Sequence, residues 1–283
     1  VLVVLLAAAA RPVHADLPTP ERVTTSDSTA LGAPPVVGAD IPISELAHDQ
    51  HLPAVAYNWR HDEYLVVWHN THPDHARDIW AQRISSSGVL LGWSFEVHGD
   101  SAKDSAQPSV AYDGDHDRYL VTWAYDESGD GSNWDVYARF IPWDGPSTMF
   151  YDFPVCTWST SQWNPQVVYN ENPGRDEFLV VWATETTGAV PAYVSGRRVN
   201  ADASGFPSGA FPIASDPHYT DDYVNPDVAY NLARNEYLVA FSKNQVDVMA
   251  TRLDADGNLL GGDILPVATW PDAELLPAVA ASP

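Results

Sequence analysis

A single cysteine in 283 residues, Cys156, leaves no partner for an internal disulfide, so no covalent staple is available and stability must come from packing. Cations are scarce: 14 Lys and Arg face 38 Asp and Glu, and the net charge of −24 repels phosphate backbones, which argues against nucleic-acid binding. Only one long apolar run stands out, Val1 to Ala10, and it is too short to cross a bilayer; no transmembrane segment is expected. Also missing is any stretch with helical caps ahead of apolar residues at three- and four-residue spacing. No G-x-S-x-G elbow and no H-E-x-x-H helix is present, which removes two common routes to hydrolysis. What the chain does have is aromatic: 11 Trp and 13 Tyr, residues suited to strands packed face to face.

The opening residues have the character of a clipped secretion signal. The apolar run is followed by Arg11-Pro12 and a small-residue site at Val13-His14-Ala15. Residues 1–15 are therefore expected as a signal peptide, 16–38, rich in Pro, Thr and Ser, as a linker, and 39–283 as the folded part. The expected address is secreted or cell-surface, with the periplasm as the other extracytoplasmic place.

The chain repeats itself. Pro53-Ala54-Val55-Ala56-Tyr57-Asn58 returns at Pro108, Pro165 and Pro226, and a fifth start, Pro277-Ala278-Val279-Ala280, lies near the last residue; these prolines are 55, 57, 61 and 51 residues apart. After each phrase comes a short polar turn and a second strand, Glu63 to Trp68, Arg118 to Trp123, Glu177 to Trp182 and Glu236 to Phe241. A third strand follows, as in Asp78 to Ile84 and Asp247 to Leu253, then a Gly-bearing turn and a fourth apolar strand. The expected fold is all-β: a β-propeller of four-stranded antiparallel blades, with four full repeats (about 53–107, 108–164, 165–225 and 226–276) and partial blades at both ends. Asp40 to Ser44 is a lone fourth strand echoing Asp263 to Pro266, and 277–283 a lone first strand. Strands two and three of that fifth blade are missing, and the chain reads as a piece of a longer one.

The same spacing predicts a register. With Trp68 opposite Asp78, Glu63 falls opposite Arg83; Glu177 then meets Arg198 and Glu236 meets Arg252, while the second repeat places Arg118 opposite Phe140. Loss of acid and base in the same repeat marks a cross-strand ion pair, expected to be structural and, on a rim, to contribute about 0–1 kcal/mol. The pattern P-x-V-A-Y-N, E-Y-L-V-V-W, D-I-x-A-x-R resembles the repeat-built β-propellers of secreted and surface bacterial proteins, over about Asp40 to Pro283. That resemblance implies a propeller and an extracytoplasmic address and brings no catalytic residues with it.

Strand polarity sorts the loops. Those between strands two and three share a face with the blade-to-blade connections, and they are long and divergent, as loops that carry function are. They display Tyr125, Trp134, Trp158, Trp163, Tyr219, Tyr223 and Trp270 beside Asp126 and Asp222. Rings among polar groups suit carbohydrate. The first expectation is thus a non-enzymatic binding or scaffold module for polysaccharide or a surface partner. One alternative is a propeller glycoside hydrolase or lyase using Asp126, Glu127, Glu185, Asp221 or Asp222 at the face centre. Another is a filament or array subunit, self-associating through open terminal blades. His69, His72 and His75 form a weak transition-metal motif without fixed geometry. No cofactor is expected; calcium is the cation that Asp113 to Asp117 and Asp254 to Gly257 would suit, but neither completes a calcium motif and both occupy ordinary turn positions.

Overall fold

The computed structural model describes residues 40–44, 48–72, 76–146, 149–185, 191–216, 218, 220–262, 264–270 and 272–281. The signal and linker expected over 1–38 lie outside the described residues. So do Tyr219 and His75.

Among the described residues, sixteen strands form four antiparallel sheets, each in simple chain order. The first blade is β1 (Asp49–Asn58), β2 (Glu63–Thr71), β3 (Asp78–Ser85) and β4 (Leu90–His98). The second is β5 (Ser105–Asp113), β6 (Arg118–Asp126), β7 (Trp134–Pro142) and β8 (Phe153–Cys156). The third is β9 (Gln162–Asn170), β10 (Glu177–Thr184), β11 (Tyr193–Asn200) and β12 (Phe211–Ala214). The fourth is β13 (Tyr223–Asn231), β14 (Glu236–Lys243), β15 (Asp247–Asp254) and β16 (Leu265–Ala268). The four blades make a β-propeller.

An antiparallel sheet with one wet face alternates polar and apolar residues; the second strands here do not. Tyr64-Leu65-Val66-Val67-Trp68 is buried at every position, so this strand is covered on both faces. Leu65 and Val67 pack with Val110, Tyr112, Tyr119, Val121 and Trp123 of the second blade. One step on, Leu120, Val136 and Val155 meet Val167, Tyr169, Phe178, Val180 and Trp182. Leu179, Val181 and Ile213 then meet Val228, Tyr230, Tyr237, Val239 and Phe241. Blades one to four therefore stack in chain order, first strands innermost.

The expected register is two residues out in every blade. Trp68 stands opposite Trp80 and Glu63 opposite Ser85; Glu177 faces Asn200, Glu236 faces Asp254 and Arg118 faces Pro142. Strand two runs on beyond its tryptophan, to Thr71 in the first blade, and Asp78 pairs with Asn70, so the ladder is longer than the apolar phrase suggests. A shift of two keeps every side chain on its face. The ion pairs consequently form on the diagonal: Arg83 Nε and Nη2 donate to Glu63 at 2.9 and 2.7 Å, Arg198 lies 3.3 Å from Glu177, and Arg252 2.6 Å from Glu236. The Glu63 carboxylate is buried, which corrects the exposed-rim estimate: removing Arg83 alone would leave an uncompensated buried charge, a cost of about 3 kcal/mol.

Each first strand is broken at the same place. Its pairing slips between His51 and Ala54, Ala106 and Ser109, and Val224 and Asp227, and the residue ahead of the proline is left-handed: Leu52, Gln107, Asn164, Asn225 and Leu276 have φ of 48 to 56°. This is a β-bulge repeated in four blades, and Leu276 repeats its left-handed turn outside any strand; the bulge turns the flanks of the proline toward the axis.

Candidate functional site

The loop-face rings divide sharply. Trp158 and Trp270 are exposed and Trp163 is half-buried. Tyr125, Trp134 and Tyr223 are buried. Trp134 packs on Trp163 of the next blade with centroids 4.4 Å apart, while Tyr223 packs on Phe241 of its own blade at 5.3 Å, within the cluster that joins blades three and four. Tyr125 is wedged against Tyr137 and His98, its hydroxyl donating to Asp100 at 2.9 Å.

Of the histidine motif, His69 and His72 lie among the described residues. His69 is buried in β2, and burial, followed by the nearby Arg77, lowers its pKa to about 4. His72 sits by Asn70, 2.8 Å away, and Asp78, 3.9 Å away. The acidic turns hold themselves. Asp113 Oδ1 accepts the N–H groups of Asp115 and His116, and Asp254 Oδ1 those of Asp256 and Asn258. Asp113, His116 and Asp176 come within reach of one another, but Arg118 lies 3.7 Å from Asp113 and already supplies positive charge there.

Most of the candidate carboxylates are likewise occupied. Asp126 is buried and accepts from Ser128 Oγ and from the N–H groups of Gly129 and Gly131, organising its own loop. Asp221 pairs with Lys243 at 2.8 Å, and Asp222 accepts the N–H of Ala192. Glu127 lies between Lys103 and the Tyr137 hydroxyl, both at 3.3 Å. Beside it is a group absent from the sequence-based candidates: Asp135, buried, with Oδ1 lacking a hydrogen bond and a pKa raised to about 6 by burial and then by the Glu127 charge.

At the face centre lies a cavity of about 310 Å³, lined by the proline flanks of all five repeats: Leu52, Gln107, Asn164, Asn225 and Leu276 ahead of the prolines and Ala54, Gln166, Asp227 and Ala278 after them. The amides interlock. Asn164 N–H donates to Gln107 Oε1 at 2.9 Å, Asn164 Nδ2 to Asn225 Oδ1 at 2.7 Å, and Ser109 Oγ to Gln166 Oε1 at 3.1 Å. Asp227 is the single carboxylate among the lining residues. It accepts the N–H groups of Val228 and Val279 at 2.9 and 2.6 Å, and burial, outweighing those bonds, raises its pKa. Sequence reasoning passed over this ring of residues, yet its signal was present: within a fixed phrase, the positions on either side of the proline are the ones that change from repeat to repeat.

No family model and no curated protein matches the chain. Solved structures do. It is similar to an α-L-arabinanase of Penicillium chrysogenum complexed with arabinobiose, at 13% identity and a TM-score of 0.60 over 79% of this chain and 69% of that one. An α-L-arabinofuranosidase of Fusarium graminearum with an iminosugar inhibitor matches at 12% identity and 0.58, over 79% and 68%. An endo-arabinase of Bacteroides thetaiotaomicron matches at 15% and 0.52, over 82% and 84%. At such identities the likeness is one of fold. It nevertheless corrects the expectation of a non-enzymatic binding or scaffold module: the propellers that this backbone matches are named as glycan-cleaving enzymes, and three of the six described rings meant for a binding platform are taken up by packing. Among the described residues, no helix is long and apolar enough to cross a membrane.

Proposed function

We propose that this chain is a carbohydrate-active propeller of the glycoside hydrolase kind, admitting a sugar to the axial cavity, with Asp227 as the carboxyl that serves the departing oxygen. The observation that carries this reading is a half-buried carboxyl of raised pKa in a cavity otherwise lined by amides and apolar groups. Glycosidic cleavage requires a proton on the departing oxygen, and a carboxyl kept neutral by burial is the usual donor. Gln107, Asn164, Gln166 and Asn225 each offer an acceptor oxygen and donor N–H groups, the set that sugar hydroxyls need. A cavity of this size suits about one or two sugar rings. The names of the propellers that share the fold support the substrate class. The reading includes an extracytoplasmic site of action, supported by the apolar run Val1 to Ala10 and the acidic composition.

Asp227→Asn separates acid catalysis from mere binding. On arabinan or galactan the variant is expected to lose about 10³-fold in rate, and on aryl glycosides far less, because a good leaving group needs no proton. A wild type inactive across both substrate kinds, or an Asp227→Asn variant as fast as wild type on polysaccharide, overturns the reading.

A further inference from the structure

The axial cavity has a polar side and an apolar side. The polar side is an arc of amides from blades two, three and four: Gln107, Asn164 and Asn225, joined by hydrogen bonds and each half-buried. At the two ends of that arc the same position, ahead of the repeat proline, carries Leu52 and Leu276. Both leucines are open to solvent, 55 and 74% exposed. Ala54 and Ala278 extend the apolar side, at the positions where blades three and four put Gln166 and Asp227. Hydration alone favours the reverse, with amides outermost and leucines within.

The backbone adds to the contrast. Leu52 has φ of 48° and Leu276 of 56°, a left-handed region that suits asparagine far better than a branched aliphatic residue. Asn164 and Asn225 hold the same conformation with the residue that fits it. The two leucines therefore gain neither burial nor backbone ease where they stand. Residues held against both preferences on a cavity wall point to a ligand contact, and here the contact is apolar.

A ligand that satisfies both sides has hydroxyls along one edge and a bare hydrocarbon group on the other. The bonds within the arc use Gln107 Oε1, Asn164 Nδ2 and Asn225 Oδ1, so the amide nitrogens of Gln107 and Asn225 are not spent on them. Ordinary hexoses end in a hydroxymethyl group, and pressing its oxygen on leucine strips water from it without replacement. A methyl group in that place has no such cost and buries its surface.

Taking the axial cavity as the sugar site assigned above, on which this step rests, we propose that Leu52 and Leu276 form its specificity-determining wall. The sugar it selects is a 6-deoxyhexose, with its methyl group on the leucines and its ring hydroxyls toward the amides. An aliphatic wall rejects an added hydroxyl only mildly, so galactose units of a galactan are still accepted and the preference is about tenfold.

The probes are two matched pairs of methyl glycosides that differ only in the hydroxyl on the sixth carbon. One is methyl β-D-fucopyranoside with methyl β-D-galactopyranoside; the other is methyl α-L-rhamnopyranoside with methyl α-L-mannopyranoside. In titration calorimetry on the full chain, the 6-deoxy member of at least one pair should bind about tenfold tighter. The double variant Leu52→Asn with Leu276→Asn gives both places the residue that their backbone suits. It should bring that ratio to about one while keeping the affinity for the parent hexoside, with a urea midpoint no lower than wild type. Equal affinities within both pairs, a ratio that survives in the double variant, or no binding of any probe overturns the proposal. Preferential binding by a chain that cleaves no glycoside overturns the hydrolase reading and leaves the leucine wall standing. Cleavage of galactan without the preference does the reverse.

Discussion

The guanidinium of Arg118 lies 4.5 Å from the ring centroid of Phe140, in the place where the other three blades hold a Glu–Arg ion pair. Phe140 stands opposite Leu120 as Arg83 stands opposite Leu65, so in this blade the base has moved to strand two, where the others carry Glu, and a ring takes its place on strand three. A third residue changes with them. Asn58, Asn170 and Asn231 begin the turns beside the glutamates, and Asp113 begins the turn beside Arg118. Asn and Asp cap the turn equally well through one oxygen, so the charge on Asp113 answers the charge on Arg118.

A swap therefore needs three substitutions. Arg118→Glu alone sets two carboxylates together at a buried position and should lower stability by about 3 kcal/mol. Adding Asp113→Asn and Phe140→Arg rebuilds the arrangement of blade one and should recover most of that loss. Thermal unfolding of the single and triple variants decides it: a triple variant no more stable than Arg118→Glu would mean the three positions do not act as a unit.

Acid sensitivity should trace in part to His69. Its pKa of about 4 in the fold lies below the ordinary 6.5, so below pH 6.5 the unfolded chain takes up a proton that the folded chain refuses. Stability is whole above pH 6.5 and falls as the pH drops toward 4, by about 3 kcal/mol at most. His69→Gln should flatten that part of the stability–pH curve in urea titrations. A variant curve parallel to wild type between pH 4 and 6.5 would remove His69 from the account.

Asp135 has the opposite sign. Its pKa of about 6 exceeds the ordinary 3.8, so its favourable contribution is complete below pH 3.8 and disappears as the pH rises through 6. At neutral pH the buried carboxylate is a liability, with one oxygen unbonded. Asp135→Asn should stabilise the chain by about 2 kcal/mol at pH 7.5 and by almost nothing at pH 4. Equal effects at both values would show that packing, rather than ionisation, decides this position.

The blades were legible because the repeat is written in the chain: a proline phrase, a doubly apolar strand and a Gly turn recur at nearly constant spacing. Face assignment was legible too, since a two-residue error in register leaves parity intact. Ring burial was not. Tyr125 and Trp158 look alike in sequence, and only the neighbouring blade decides that one is covered and the other open. The axial cavity is hidden for a similar reason: Gln107, the pair Asn164 and Gln166, and the pair Asn225 and Asp227 come from three successive repeats, and it is the stacking of blades that brings them together.

The left-handed residue ahead of each repeat proline gives a final, local prediction. Leu52 holds φ of 48°, a region that costs an ordinary L-residue roughly 1–2 kcal/mol and costs asparagine less. Two of the equivalent positions already carry Asn, at 164 and 225, whereas Leu52 and Leu276 carry a branched aliphatic side chain in the same conformation. Leu52 is more than half exposed, so exchanging it sacrifices little apolar burial. Leu52→Asn should therefore stabilise the chain by about 0.5–1 kcal/mol, seen as a higher urea midpoint at unchanged slope. Asn164→Leu should move the midpoint the other way and further, because it introduces the strain and also breaks the hydrogen bond to Asn225. If Leu52→Asn is neutral or destabilising, the left-handed backbone at the bulge is not strained, and the choice of residue there answers to the cavity it lines.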